Sequence, residues 1–120
     1  MEAADDAAVF TFATAGASVT ARETEDGFVV LAGSTARKSG TDTFPLGYRA
    51  LRDQFIQDGR LIDDADPAFY RFATDVTFGS PSAAASVVAA RSASGPREWK
   101  VRGSGQLYRD WRAERLDGTR

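Results

Sequence analysis

The chain is 120 residues long, has neither cysteine nor histidine, and carries 15 basic against 17 acidic side chains for a formal net charge of −2. That composition excludes disulfides, thiol nucleophiles and thiolate or imidazole metal sites, and it removes the commonest general base. A length of this order makes one domain with one core, expected to span 1–120.

Near-neutrality hides an asymmetry. Residues 1–90 hold seven basic and thirteen acidic side chains, whereas residues 91–120 hold eight and four, so an acidic body ends in a basic tail. No run approaches the ~20 apolar residues of a membrane span. The start, Met1-Glu2-Ala3-Ala4-Asp5-Asp6, lacks the basic-then-apolar layout of a secretory leader, and a cytoplasmic protein is expected.

In chain order, a frayed start over Met1 to Ala8 is followed by Val9-Phe10-Thr11-Phe12, whose two phenylalanines alternate as in a half-buried strand. Ala13 to Gly16 reads as a loop. Ala17 to Arg22 and Phe28 to Leu31 read as two strands of a hairpin, with Asp26-Gly27 supplying a two-residue turn at positive φ. The second strand is apolar on both faces and is expected inside the sheet. Gly33-Ser34-Thr35 closes it, and Ala36 to Thr43 reads as a polar connecting loop with a basic tip at Arg37-Lys38.

From Pro45 the period changes. Tyr48, Leu51 and Phe55, with Ile56 beside them, predict an amphipathic helix that Asp58-Gly59 stops, with Leu61-Ile62 making the contact that follows such a cap. Asp63-Asp64-Ala65-Asp66-Pro67 reads as an exposed turn, because its carboxylates lack the spacing of a calcium loop. Tyr70, Phe72, Val76 and Phe78, interrupted by Thr74-Asp75, predict a strand or a bulged strand.

The most structured stretch runs from Phe78 to Lys100. Ser80 can cap a helix that Pro81 begins, and the run from Ser82 to Ala90 has only small residues besides Val87 and Val88. Such a helix is thin enough to approach a sheet or another backbone closely, with Ala84, Val87, Val88 and Arg91 on one face. Ser94-Gly95-Pro96 is read as its end, and Trp99 as a core residue on a short extended segment. After the turn at Gly103-Ser104-Gly105, a basic C-terminal helix over 106–116 shows Leu107, Tyr108 and Trp111 inward and Arg109, Arg112 and Arg115 outward. The fold class is α+β: a small antiparallel sheet with a hairpin, packed by two main helices, plus the short C-terminal one.

Four pieces in order carry a resemblance: Gly27-Phe28-Val29-Val30-Leu31-Ala32-Gly33-Ser34, the helix around Leu51-Arg52 ending at Asp58-Gly59, Phe78-Gly79-Ser80-Pro81-Ser82-Ala83-Ala84-Ala85, and Trp99-Lys100. Over residues 27–100 the chain resembles the small domain of unknown function found C-terminal to GIY-YIG-type nuclease domains in bacterial proteins. More distantly it is similar to the RAMA domain, the restriction-enzyme and adenine-methylation-associated module. It departs from these patterns at Gly79, where serine is common, and at Ser94-Gly95-Pro96, where Asn-Gly usually precedes the tryptophan.

No GIY or YIG triplet occurs in the chain. The resemblance therefore implies a non-catalytic accessory module of nucleic-acid processing, with DNA and a nuclease or restriction domain as partners and no cofactor or metal. Together with the basic surplus after Ala90, it nominates Arg91, Arg97, Lys100 and Arg102, along one edge of the Ser80 helix, as phosphate contacts, with Ser80, Ser82 and Ser94 as hydrogen-bond donors. The competing reading of Ser80 and Ser82 is helix capping. The alternative function is a protein-interaction or structural module that docks through the Trp111 helix on a partner or a second copy. An enzyme in its own right would need Asp63, Asp64, Asp66 and Asp75 to gather one metal.

Overall fold

The computed structural model describes residues 8–14 and 16–118; of the start expected to fray, Met1 to Ala8, residues 1–7 lie outside the described residues and Ala8 packs against the core. Among the described residues eight strands form two antiparallel sheets around a buried helix, which makes the chain α+β. The first sheet has β1 (Val9–Thr14), β2 (Ala17–Thr24), β3 (Gly27–Val30), β7 (Val76–Phe78) and β8 (Lys100–Val101) in the order β7-β3-β2-β1-β8. The second has β4 (Thr35–Arg37), β5 (Leu61–Asp63) and β6 (Phe69–Phe72) in the order β4-β6-β5.

Alternation sets the inner face of the large sheet. Phe10 opposes Ala21 and Phe12 opposes Val19, and these side chains join Phe28, Val30, Val76 and Phe78 in the core. The segment expected as a loop after Phe12 differs: β1 continues to Thr14, which pairs with Ala17, because the ladder with β2 supplies partners up to the turn.

The β2–β3 hairpin exists where the sequence places it, but its turn is shifted by one residue. Thr24 pairs with Gly27, leaving Glu25 and Asp26 as the loop, and Ala90 is the one non-glycine residue at positive φ among the described residues. The Thr24 hydroxyl takes over the turn, accepting from the Asp26 N–H at 3.1 Å. Gly27 keeps the positive φ (144°) outside the loop and also serves a close approach, since a Cβ there would lie 2.4 Å from the Phe78 carbonyl oxygen.

The second sheet was not expected. Ala36, assigned to a flexible loop, is fully buried in β4, and Leu61-Ile62 belongs to β5. The single strand expected from Tyr70 to Phe78 is two strands in different sheets, with Asp75 at the crossing accepting the Ala32 N–H at 2.8 Å. Hydroxyls join the sheets where β2 runs past the end of β3. Ser18 N–H donates to Thr35 Oγ1 (2.9 Å) and Thr20 N–H to Ser34 Oγ (3.1 Å), so side chains complete the ladder of β2.

Helix α1 (Leu46–Gln57) packs Tyr48, Leu51, Phe55 and Ile56 against the core and ends at Asp58-Gly59 as its pattern predicts. Helix α2 (Pro81–Ala89) begins as read: the Ser80 hydroxyl accepts the Ala83 N–H at 3.1 Å and Pro81 opens the first turn. Two features differ from expectation. The helix has no solvent face, being buried from Ala83 to Ala89, and it stops at Ala90 in the left-handed region (φ 57°, ψ 42°).

Ser94-Gly95-Pro96 does not end that helix; it opens a separate turn, α3 (Gly95–Glu98). Gly95 is needed because its backbone lies on α2: a Cβ would sit 2.2 Å from the Pro81 carbonyl carbon and 2.4 Å from the Ser82 nitrogen. Trp99 is fully buried behind this contact, its Nε1–H donating to the Pro81 carbonyl at 2.9 Å.

Helix α4 (Tyr108–Gly118) turns Tyr108 and Trp111 inward, both rings lying edge-on to Phe10 at centroid distances of 5.2 and 4.8 Å. Tyr108 donates its hydroxyl to Glu23, which also pairs with Arg112. Burial first, and that bond second, push the Tyr108 phenol up to about 12. The folded protein thus keeps a proton that the unfolded chain releases near pH 10. Stability from this group is complete below about pH 10 and is lost as pH rises toward 12. Urea midpoints should fall over that interval, and Tyr108→Phe should flatten the fall; an equal fall in both proteins refutes the assignment.

Candidate nucleic-acid interface

All the aromatic side chains of the large sheet face the helices, so its other face is set by the remaining alternate positions. These are Thr11 and Ala13 on β1, Ser18, Thr20 and Arg22 on β2, Val29 on β3, Thr77 on β7 and Lys100 on β8. Register aligns them in rows. Lys100 lies opposite Thr11, which lies opposite Thr20; Arg22 lies between Val9 and Val29. The strands place two cations and no carboxylate on this face, since Glu23 alternates inward to Tyr108.

At the β8 edge the face dips into a shallow depression of about 400 Å3 lined by Thr11, Ser18, Thr20, Arg97, Glu98 and Lys100 among others. Arg97 and Lys100 are exposed there. Glu98 is engaged elsewhere, in a two-bond pair with Arg91 (2.8 and 3.1 Å) that also holds the Arg91 guanidinium above its ordinary range. The rim is consequently more basic than its composition suggests.

The nominated residues separate into two groups. Arg97, Lys100 and Arg102 are exposed, following α3 and β8 rather than the edge of α2, which is buried. Ser94 is exposed at the start of α3, where its carbonyl accepts the Arg97 and Glu98 N–H groups. Ser80, Ser82 and Arg91 serve internal contacts: Ser80 caps α2, Ser82 Oγ accepts the Gly95 N–H at 2.9 Å, and Arg91 holds Glu98.

Sequence reading missed Thr11, Ser18, Thr20 and Arg22. Their signal is the alternation within Val9 to Phe12 for Thr11 and within Ala17 to Arg22 for the other three, which serves there only to find the core. The carboxylates required for a metal do not gather. Asp63 pairs with Lys38 (2.9 Å), Asp64 and Asp66 accept backbone N–H groups of their own turn, and Asp75 binds the Ala32 N–H. Among the described residues, no three His, Cys, Asp or Glu side chains could hold an ion together. No described helix is long and apolar enough to cross a membrane.

Compared with known proteins, residues 10–112 match the family model described as "Domain of unknown function (DUF4357)". No curated protein and no solved structure matches the chain.

Proposed function

We propose, for a chain that belongs to this family of unknown function, a non-catalytic accessory role in nucleic-acid processing, in which the outer sheet face holds backbone phosphates weakly. The observation that carries this reading is the sheet face itself: Arg22 and Lys100 on the strands, Arg97 on the rim, hydroxyls of Thr11, Ser18 and Thr20 between them, and no strand carboxylate. Arginine, lysine and hydroxyl side chains are the groups that position a protein on a phosphate backbone without reading sequence.

A flat antiparallel face suits an extended backbone better than a closed pocket would. The resemblance to nuclease-associated domains supports a bacterial setting in which a nuclease or restriction partner performs the chemistry and this module helps to place it. With an acidic body overall, binding should be weak and confined to this face.

Neutralising about three phosphates on duplex DNA gives a salt slope near −2.7, so affinity should fall about 40-fold between about 50 and 200 mM salt. Fluorescence anisotropy with a labelled duplex reads this directly. Arg97→Glu with Lys100→Glu, both exposed, should abolish most of the binding and leave the circular-dichroism spectrum unchanged. Absence of binding at low salt, or binding indifferent to the double substitution, contradicts the reading and favours a protein-docking module.

A further inference from the structure

On the face of the second sheet that carries Phe72 into the core, cations from α1 and from the end of β4 meet aromatic rings without a matching set of carboxylates. Arg49 and Arg52, one turn apart on α1, both lie over the Phe44 ring, with guanidinium carbons 5.5 and 4.8 Å from its centroid. Arg52 is also 5.8 Å from the centroid of Tyr70, and Lys38 Nζ is 5.1 Å from that same ring. The cluster thus runs Arg49, Phe44, Arg52, Tyr70, Lys38.

Like charges three residues apart on a helix repel. Here neither guanidinium has a carboxylate within 4.0 Å among the described residues, and Asp63 on Lys38 is the cluster's one ion pair. What holds it is rigid. Arg52 Nη1 donates to the Arg37 and Lys38 carbonyls at 3.2 Å each, while its Nε is buried with no acceptor.

We propose that Arg49 and Arg52, with Lys38, form a preorganised site for a phosphate group, independent of the sheet face. A phosphate supplies the counter-charge the cluster lacks, and the planar fork of an arginine pair matches its oxygens. Because the aromatic rings are covered by the cations, the site takes the phosphate and leaves a base or sugar outside. The phosphate source is either a free phosphorylated compound or a nucleic-acid backbone.

The test follows the arginine side-chain Nε–H resonances during titration with inorganic pyrophosphate and, separately, with a short DNA duplex. Pyrophosphate should shift Arg49 and Arg52 below about 10 mM, and Arg49→Gln should weaken binding about tenfold, the loss of one charge-assisted contact. Among the described residues the Arg49 side chain makes no hydrogen bond, so this variant should keep the fold; Arg60→Gln, over Phe55, should bind as the wild type does. A response to pyrophosphate assigns a free phosphate compound. A response to duplex alone, retained in Arg97→Glu with Lys100→Glu, assigns the backbone and separates this site from the sheet face. Silence of Arg49 and Arg52 toward both ligands, or equal binding by Arg49→Gln, overturns the proposal.

Discussion

Gly95→Ala should destabilise the protein by about 4 kcal/mol, more than overpacking of about 1–3 kcal/mol usually costs. The excess arises because the added Cβ meets backbone on the other side, 2.2 Å from the Pro81 carbonyl carbon and 2.5 Å from its oxygen, and backbone cannot rotate out of the way. Relieving the clash separates α3 from α2. That breaks the Gly95 N–H bond to Ser82 Oγ and the Trp99 Nε1–H bond to the Pro81 carbonyl, each worth about 1 kcal/mol net. Gly79→Ala is the control: nothing lies within 4 Å of its Cβ position, and the change should be within about 0.5 kcal/mol of neutral. Urea unfolding of both variants checks the difference, and equal midpoints would refute the close approach.

Trp99→Ala should lower stability by about 3–5 kcal/mol, the range for deleting a large aromatic from a packed core. Trp99 is fully buried, with ring centroids 5.2 Å from Phe12 and 4.9 Å from Phe28, so the void opens between the sheet and α2. Trp99→Phe restores much of the volume but leaves the Pro81 carbonyl without the indole donor, and should lose about 1–3 kcal/mol. The order wild type, Phe, Ala in chemical denaturation is the expected result. A Phe variant as unstable as Ala would mean that the hydrogen bond, rather than packing, dominates.

These two positions also show where the sequence was legible. Ser80-Pro81 declares a helix start because capping is local chemistry, complete within four residues, and Trp99, alternating with Val101 between charged neighbours on a short extended segment, declares a core residue. Gly95 was read as a helix stop, a local role, when its constraint comes from Pro81 and Ser82 across the fold. The second sheet left almost no trace: β4 and β5 are three residues long, too short for a period to register, and depend on pairing with β6 and on the Ser34 and Thr35 hydroxyls.

The candidate interface was half legible for the same reason. Charge surplus is visible in a linear sequence, and it led to Arg97, Lys100 and Arg102. Which serines are already spoken for is not visible, nor is the alignment of Arg22 and Lys100 on one sheet face, which only the register of β8 against β1 and β1 against β2 creates.

The most direct measurement of the account is amide chemical-shift mapping of the protein titrated with a short DNA duplex at low salt. Perturbations are expected at Thr11, Ser18, Thr20, Arg22, Arg97 and Lys100, fading as salt is raised. Perturbations confined to α4, or none at all, would contradict it.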